Sequence, residues 1–484
     1  MVSKVSPNEL ILHNKRDDVW IVINGHVYDM TEFAPEHPGG PEIIYQFAGR
    51  DASDEYNSIH APSLIQKSLK THHQLGPLDI SNSLPQLKKD EQELSLDAPS
   101  PSTLKPALDK IINLHDFESA AALTLSKKAW AYIQGAANDN FTRDANSAFL
   151  NKIWLRPSVM RNVGNVSTKT RLFGCQLDLP VFISPTGAVR TAGPEGELAL
   201  ARGAASMGII QCIATPASYP HEEIIEATPQ HAWFQLYLNK DKAKSQELLR
   251  LMTSSGKIKA IFVTADLPIV SKREADERAK ASNAVEEART APDWKGAGLA
   301  RQTGSFIDPT LNWADLTWLR QHTTLPIVVK GIQRWEDAKL AMQNGCQGIV
   351  LSNHGGRAAD GVSPTIILLL ELHRNCPEVF SALEVLIDGG FRRGSDVVKA
   401  VCLGASAVGL GRPFVYAVNY GQDGVNHAVD ILRDEIETAM RLCGMTDLME
   451  DAHPDYVNTT NIDHCVLRGG HPYARKARKP NSRL

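Results

Sequence analysis

The chain has 484 residues, 43% of them hydrophobic and 22% charged, with a formal net charge of −4; that length allows two to four domains, and the mixed charges give no basic field for nucleic acid to follow. The longest apolar runs, such as Ile366-Ile367-Leu368-Leu369-Leu370, fall far short of the roughly 20 residues a membrane span needs. Seven cysteines without a Cys-x-x-Cys pair argue against disulfides, structural zinc and cysteine-ligated clusters, and reduced thiols suit an intracellular compartment.

Met1-Val2-Ser3-Lys4-Val5 has neither the apolar core of a secretory signal nor the look of a transit peptide. Val19-Trp20-Ile21-Val22-Ile23, the turn Asn24-Gly25 and Val27-Tyr28-Asp29-Met30 predict a β-hairpin. Phe33-Ala34-Pro35-Glu36-His37-Pro38-Gly39-Gly40 comes next, and His37 is fixed by the proline and glycines after it. His60 lies beyond an amphipathic segment (Ile43, Ile44, Phe47), so two imidazoles can approach one apolar slot from opposite sides. Haem iron accepts such a pair of axial ligands. With Ala48-Gly49-Arg50-Asp51 and the helix before His60, residues 5–78 resemble a cytochrome b5-type haem domain. The resemblance implies a small α+β fold over residues 1–78, with His37 and His60 as ligands of haem b. An iron with both axial positions filled carries electrons rather than binding oxygen.

Residues 79–107 are rich in Ser, Pro, Lys, Asp and Glu, with breaks at Ala98-Pro99-Ser100-Pro101. Such a composition cannot bury a core and predicts a flexible tether, one that raises the effective concentration of the first domain at a partner surface.

From 108 to 470, short apolar runs alternate with helical stretches. The runs are Val181-Phe182-Ile183, Ile209-Ile210, Trp233-Phe234, Ala260-Ile261-Phe262-Val263, Ile327-Val328-Val329, Gly348-Ile349-Val350-Leu351, Val385-Leu386-Ile387 and Ala407-Val408-Gly409-Leu410. Eight such runs predict an α/β domain built as a (β/α)8 TIM barrel; the rival, a doubly wound sheet, lacks its Gly-x-Gly-x-x-Gly after an early strand. Polar residues just after the runs would converge at one end: Pro185-Thr186, Thr215, Gln235 with Tyr237, Thr264 with Asp266, Lys330, Ser352 with His354, Asp388-Gly389-Gly390, and Gly411-Arg412. Asp388-Gly389-Gly390-Phe391-Arg392-Arg393-Gly394 and Gly409-Leu410-Gly411-Arg412-Pro413 suit a phosphate, since glycine amides and arginines cradle a dianion. Leu351-Ser352-Asn353-His354-Gly355-Gly356-Arg357 puts an imidazole and a guanidinium on one glycine turn, a base beside a carboxylate clamp. Lys330, after a fully apolar strand, requires a partner, because an unpaired buried ammonium is costly; a flavin is the expected one.

These motifs resemble the FMN-dependent 2-hydroxy acid dehydrogenase and oxidase family, which includes glycolate oxidase. The resemblance, taken with the haem domain, extends over almost the entire chain. It implies that His354 takes the substrate proton and that Asp266 steadies the resulting imidazolium. Arg357 and Arg273 would hold the substrate carboxylate, and Tyr237 and Tyr132 would hydrogen-bond the substrate. Lys330 would sit by the flavin ring. Thr186, Thr215, Gln235, Thr264 and Ser352 would contact FMN, while Asp388, Gly390, Arg392, Gly411 and Arg412 would hold its ribityl chain and phosphate. The fused haem implies transfer of electrons from FMN through haem b to an acceptor such as cytochrome c. The rivals are an oxidase that reduces oxygen to hydrogen peroxide and a haem module on an inactive barrel. A homotetramer is the implied assembly.

Glu274 to Gln302, charged and alanine-rich, reads as a lid beginning at Arg273. Gly187, Ala214, Ala136, Pro216 and Val270 depart from the family pattern and predict a pocket roomier than one tuned for lactate. Residues 471–484 form a basic tail ending in Ser482-Arg483-Leu484, a close variant of a peroxisomal address.

Overall fold

The computed structural model describes residues 4–37, 40–79, 105–281, 304 and 306–469. In the first domain, strands β1 (Asn14–Lys15), β2 (Asp18–Ile23), β3 (His26–Asp29) and β4 (Gln74–Pro77) form one sheet in that order. The β2–β3 turn places Asn24 at φ 51° and Gly25 at φ 77°, the left-handed pair that a tight hairpin of this twist requires. Ile21, Ile23, Tyr28, Met30, Ala34, Ile44, Ile65 and Leu69 bury the inner face. Helix α1 (Ser53–Ile59) buries none of its side chains and ends at His60. The Tyr56 hydroxyl ties the chain beyond His60 back to this helix, donating to Ala61 O at 3.0 Å and accepting from Ile65 N at 2.8 Å.

The second domain is a closed barrel of eight parallel strands in chain order: β5 (Val181–Ile183), β6 (Ile210–Ala214), β7 (Ala232–Leu236), β8 (Ile258–Thr264), β9 (Ile327–Ile332), β10 (Gly348–Leu351), β11 (Glu384–Asp388) and β12 (Ala407–Leu410). All eight expected runs are barrel strands. They read as unbroken apolar runs because both faces are covered. Phe182, Ile210, Cys212, Trp233, Phe262, Val328, Val350 and Leu386 point inward as one cluster. Their neighbours Ile183, Ile213, Phe234, Ile261, Val329, Ile349 and Ile387 pack outward in the core under the helices. Trp233 stacks on Phe262 at 5.1 Å between ring centroids, and Phe173, from the hairpin Thr170–Leu172 and Cys175–Leu177, meets Trp233 edge-on at 5.5 Å. With the interior filled, the only room for chemistry is above the carboxyl ends of the strands.

Two helices ahead of the barrel, α2 (Lys127–Gln134) and α3 (Phe141–Leu150), reach that same end. Helix α4 (Gly196–Ser206) follows β5, α5 (Glu274–Ala281) follows β8, and the 23-residue α6 (Gly421–Cys443) packs along α4. All seven cysteines are free, and no helix among the described residues is long and apolar enough to cross a membrane. The start of the expected lid is α5; its remainder to Gln302, most of the tether and the basic tail lie outside the described residues.

Candidate active site

Beyond β10 the chain turns through left-handed backbone at His354 (φ 58°), Gly355 (φ 61°) and Gly356 (φ 79°). Glycine is needed at 356, where a Cβ would lie 2.6 Å from Arg143 N. A histidine in this region is uncommon and is held there by its surroundings. His354 N donates to Ser352 Oγ at 3.1 Å, and Gly356 N donates to Asn353 Oδ1 at 3.1 Å. The buried Asn353 and Asn146 amides exchange hydrogen bonds of 2.8 and 2.9 Å, fixing the turn to α3.

His354 Nδ1 lies 2.8 Å from Asp266 Oδ1, and Nε2 lies 3.4 Å from the Tyr237 hydroxyl. Burial pushes the Asp266 carboxyl up, but Lys330 and His354 outweigh it and hold the group below the usual carboxylate range. An ionised Asp266 places the ring proton on Nδ1 and leaves Nε2 free to accept. Burial, together with Lys330 and Arg273, lowers His354 below its ordinary value despite Asp266, so the imidazole is neutral at pH 7. Burial, with Asp266 nearby, raises Tyr237, which stays a proton donor.

Lys330 is paired without any cofactor. Its ammonium lies 3.6 Å from Asp266 Oδ2 and 3.8 Å from Asp388 Oδ2, and donates to Ser352 Oγ at 3.0 Å. Two carboxylates, Asp266 from the adjacent strand end and Asp388 from one two strands away, hold its pKa above the ordinary lysine value against burial, while Lys330 also lines the cavity where the flavin expected beside it would lie.

Arg273 and Arg357 are adjacent. Burial and then the Arg357 charge push Arg273 down to about 9, and its Nε has no hydrogen-bond partner. Arg357 Nη1 is held by the carbonyls of Tyr132, Ile133 and Gly135 at 2.8 to 3.1 Å, and its guanidinium lies over the Tyr132 ring at 5.1 Å. Two fixed guanidinium groups beside an unused buried donor form a site for a carboxylate.

The remaining predicted residues line the same cavity, except that Thr215 and Ser352 stand one layer behind it. Thr215 Oγ1 donates to Gln235 O at 2.7 Å, and Gln235 Nε2 donates to Thr264 Oγ1 at 3.0 Å. Arg412 reaches the cavity but donates to Ile133 O, Gly355 O and Gly135 O at 3.0 to 3.2 Å, so it braces the turn as well as adding positive charge. Arg392 pairs with Glu118 at 2.9 Å while its buried Nη1 has no partner. Gly389 and Gly390 stand at φ 100° and 88°, and a Cβ on Gly411 would meet only open space up to 3.7 Å. An orphaned guanidinium nitrogen beside the left-handed turn at Gly389-Gly390 and the open backbone at Gly411 fits a phosphate, and the layer of polar strand ends fits FMN.

In the first domain the His37 and His60 ring centroids are 6.2 Å apart. One iron between two ring nitrogens, at about 2 Å per metal–nitrogen bond, requires roughly that separation. His37 Nδ1 bonds Gly40 O at 3.1 Å, leaving Nε2 for the metal. Burial and the facing imidazole push His60 down to about 4, and burial lowers His37, so both carry the neutral form that ligates iron. The residues fit haem. Pro38 and Gly39 lie outside the described residues.

Gly187 does not open the pocket as expected. A Cβ there would lie 2.5 Å from Pro216 O and 2.8 Å from Pro216 Cγ, so the proline ring fills the space. Sequence reasoning also missed Asn146, Ser147, Glu118 and Arg143, which α3 and the helix before α2 bring to the site. Nothing in their local sequence marks them, whereas Asn353 stands inside the glycine-turn motif, where a role could have been expected.

Comparison with known proteins agrees with this geometry. Residues 121–459 match the FMN-dependent dehydrogenase family, and residues 6–79 match the cytochrome b5-like heme/steroid binding domain. The chain is 42% identical over 479 residues to L-lactate dehydrogenase (cytochrome) of Saccharomyces cerevisiae, covering 95% of this chain and 80% of that protein. It is 40% identical over 469 residues to the Wickerhamomyces anomalus protein of the same name, with the same coverage. A doubly mutated flavocytochrome b2 with pyruvate bound superposes with a TM-score of 0.69 at 42% identity, covering 77% of this chain and 92% of that one.

Proposed function

The chain belongs to the FMN-dependent dehydrogenase family and carries a cytochrome b5-like haem domain ahead of its barrel, and from that premise we propose that it oxidises an L-2-hydroxy acid of the lactate type to the 2-oxo acid and delivers the electrons through haem b to a cytochrome c-like acceptor. FMN supplies a two-electron acceptor and haem b a one-electron carrier. The observation that carries the reading is His354, neutral and bonded to Asp266 at 2.8 Å, beside the paired guanidinium groups of Arg273 and Arg357.

The residues divide the work by charge. Arg273 and Arg357 bind the carboxylate and so orient the hydroxyl-bearing carbon toward the imidazole. His354 Nε2 takes the proton that leaves the substrate, and the carboxylate of Asp266 stabilises the imidazolium. Tyr237, fixed as a donor, and Tyr132 hydrogen-bond the substrate oxygens. Lys330 keeps a positive charge in the cavity lining, where it would stabilise the negative charge that a flavin gains on reduction. His354 serves as base in either route: it takes the hydroxyl proton where the α-hydrogen leaves as hydride, or the α-proton where the electron pair leaves separately and the hydroxyl proton is lost as the carbonyl forms.

Stopped-flow mixing of a 2-hydroxy acid with the oxidised protein tests the proposal. Flavin bleaching followed by haem reduction supports it. Peroxide formation without haem reduction would favour an oxidase, and absence of bleaching would reject both. With the space at Gly187 filled by Pro216, the extra room lies at Val270, and we propose a preference for acids bulkier than glycolate; a rate maximum at glycolate would sink it. A homotetramer is proposed from the family, with mass by light scattering as its check. Ser482-Arg483-Leu484 lies outside the described residues and supports a peroxisomal address from sequence alone; diffuse fluorescence of a fusion bearing this tail would reject it.

A further inference from the structure

The loop after β5 that walls the cavity at Gly187 continues through Val189 to Arg190, and Arg190 leaves the barrel for the first domain. Its Nη1 donates to Asn57 O and to His60 O, the latter at 2.5 Å. These carbonyls belong to the last turn of α1 and the residue that ends it, where helix geometry leaves oxygens without an internal partner. A cation is favoured at that end of the helix. Its Nε donates to Pro194 O at 3.3 Å, so the half-buried guanidinium is held by main-chain carbonyls of both domains.

The barrel side of this contact is built to hold still. Arg190 N donates to Ser218 Oγ at 3.2 Å, and Ser218 O accepts from Ala61 N at 2.9 Å, a backbone bond between domains. Beneath them lies Glu197 of α4, fully buried. Its Oε1 accepts from Val189 N at 3.2 Å and from Ser218 N at 2.9 Å, stapling the loop after β5 to the loop after β6. Ala188 N donates to Pro216 O at 3.2 Å as well, so the loop that carries Gly187 and Arg190, the loop that carries Ser218 and the His60 segment form one hydrogen-bonded junction.

We propose that Arg190 latches the His60 segment onto the loop that walls the flavin cavity, and so acts as a positioning residue for electron passage between the two centres. The latch rests on the function proposed above. It sets how much of the time His60 is docked; passage between domains then scales with that docked fraction. Glu197 holds the barrel half of the latch in register without touching either centre.

The test uses the holoprotein with Arg190→Ala and Arg190→Lys. With Arg190→Ala, flavin bleaching by substrate stays as in the unmodified protein, haem reduction slows by about tenfold or more, and amide exchange across Asn57–Ala61 speeds up. Arg190→Lys, which keeps the charge but lacks the planar fork, recovers part of both. The haem midpoint potential falls in Arg190→Ala and is restored in Arg190→Lys, because the cation that stabilises reduced haem is lost and regained. Unchanged haem reduction and unchanged exchange in Arg190→Ala overturn the latch. If the unmodified protein does not bleach at all, the proposed function fails, and the exchange measurement still decides whether Arg190 docks the segment.

Discussion

His354 is the residue on which the chemistry turns, and its environment makes two effects measurable. Because burial and the surrounding cations outweigh Asp266, its pKa lies below the ordinary histidine value of 6.5. The base form is therefore present at pH 7 and is lost only as pH falls through the lowered value. A profile of kcat/KM against pH should hold its plateau down through 6.5, and a break at or above that value would contradict the geometry. Replacing His354 by Gln should cost about 10²- to 10⁴-fold in the rate of flavin reduction while flavin content stays as before. Arg273→Lys should raise KM and lower kcat/KM roughly ten- to a hundredfold, since a lysine cannot offer a planar pair of donors beside Arg357. At this scale the sequence was most readable where a polar residue followed an apolar run: Asp266, Lys330 and His354 all stand on such ends. Their pairing was not readable, and Lys330 shows why. Its partners Asp266 and Asp388 come from strand ends 64 residues to one side and 58 to the other along the chain.

At the level of elements, the apolar runs announced every barrel strand, because a strand buried on both faces has no polar alternation to disguise it. The boundaries moved by a few residues, as at β6, which starts at Ile210 and runs on to Ala214. Helix α3 was the silent part, and of α2 only Tyr132 was named, through the family resemblance. Their contribution to the cavity arises from packing across the barrel top, and the reciprocal Asn146–Asn353 amide pair could not be inferred from either segment alone. The turn after β11 depends on this packing. Gly390 stands at φ 88°, and a Cβ there would come within 2.6 Å of the Asn146 backbone. Gly390→Ala should therefore strain the turn by roughly 1–3 kcal/mol and lower the flavin-to-protein ratio of purified protein; full flavin content in that variant would show that the turn yields.

Across the whole molecule, the two domains meet through few side chains. Lys67–Glu223 at 2.9 Å, Lys244–Glu36 at 2.9 Å and Lys128–Glu55 pair across the domains in addition to the Arg190 contact. Partly exposed pairs of this kind are worth about 0–1 kcal/mol each and weaken with salt. Haem reduction should thus slow modestly as ionic strength rises, with flavin reduction unmoved, and equal slowing of both would place the salt effect in the substrate site instead. The composition of residues 79–107 suggested a tether, and its described end is anchored: Lys105 Nζ donates to Asn419 O at 2.5 Å and Tyr420 donates to Pro106 O at 2.8 Å. The helices ahead of the barrel also bear on how far the molecule can be trimmed. Tyr132, Arg143 and Ser147 line the cavity, and the carbonyls of Tyr132, Ile133 and Gly135 hold Arg357 and Arg412. A fragment beginning at Val181 would retain all eight strands and their interior, yet its two arginines would have lost their seats and its cavity one wall. The closed barrel is a smaller object than the catalyst, whose minimal unit must begin before Lys127.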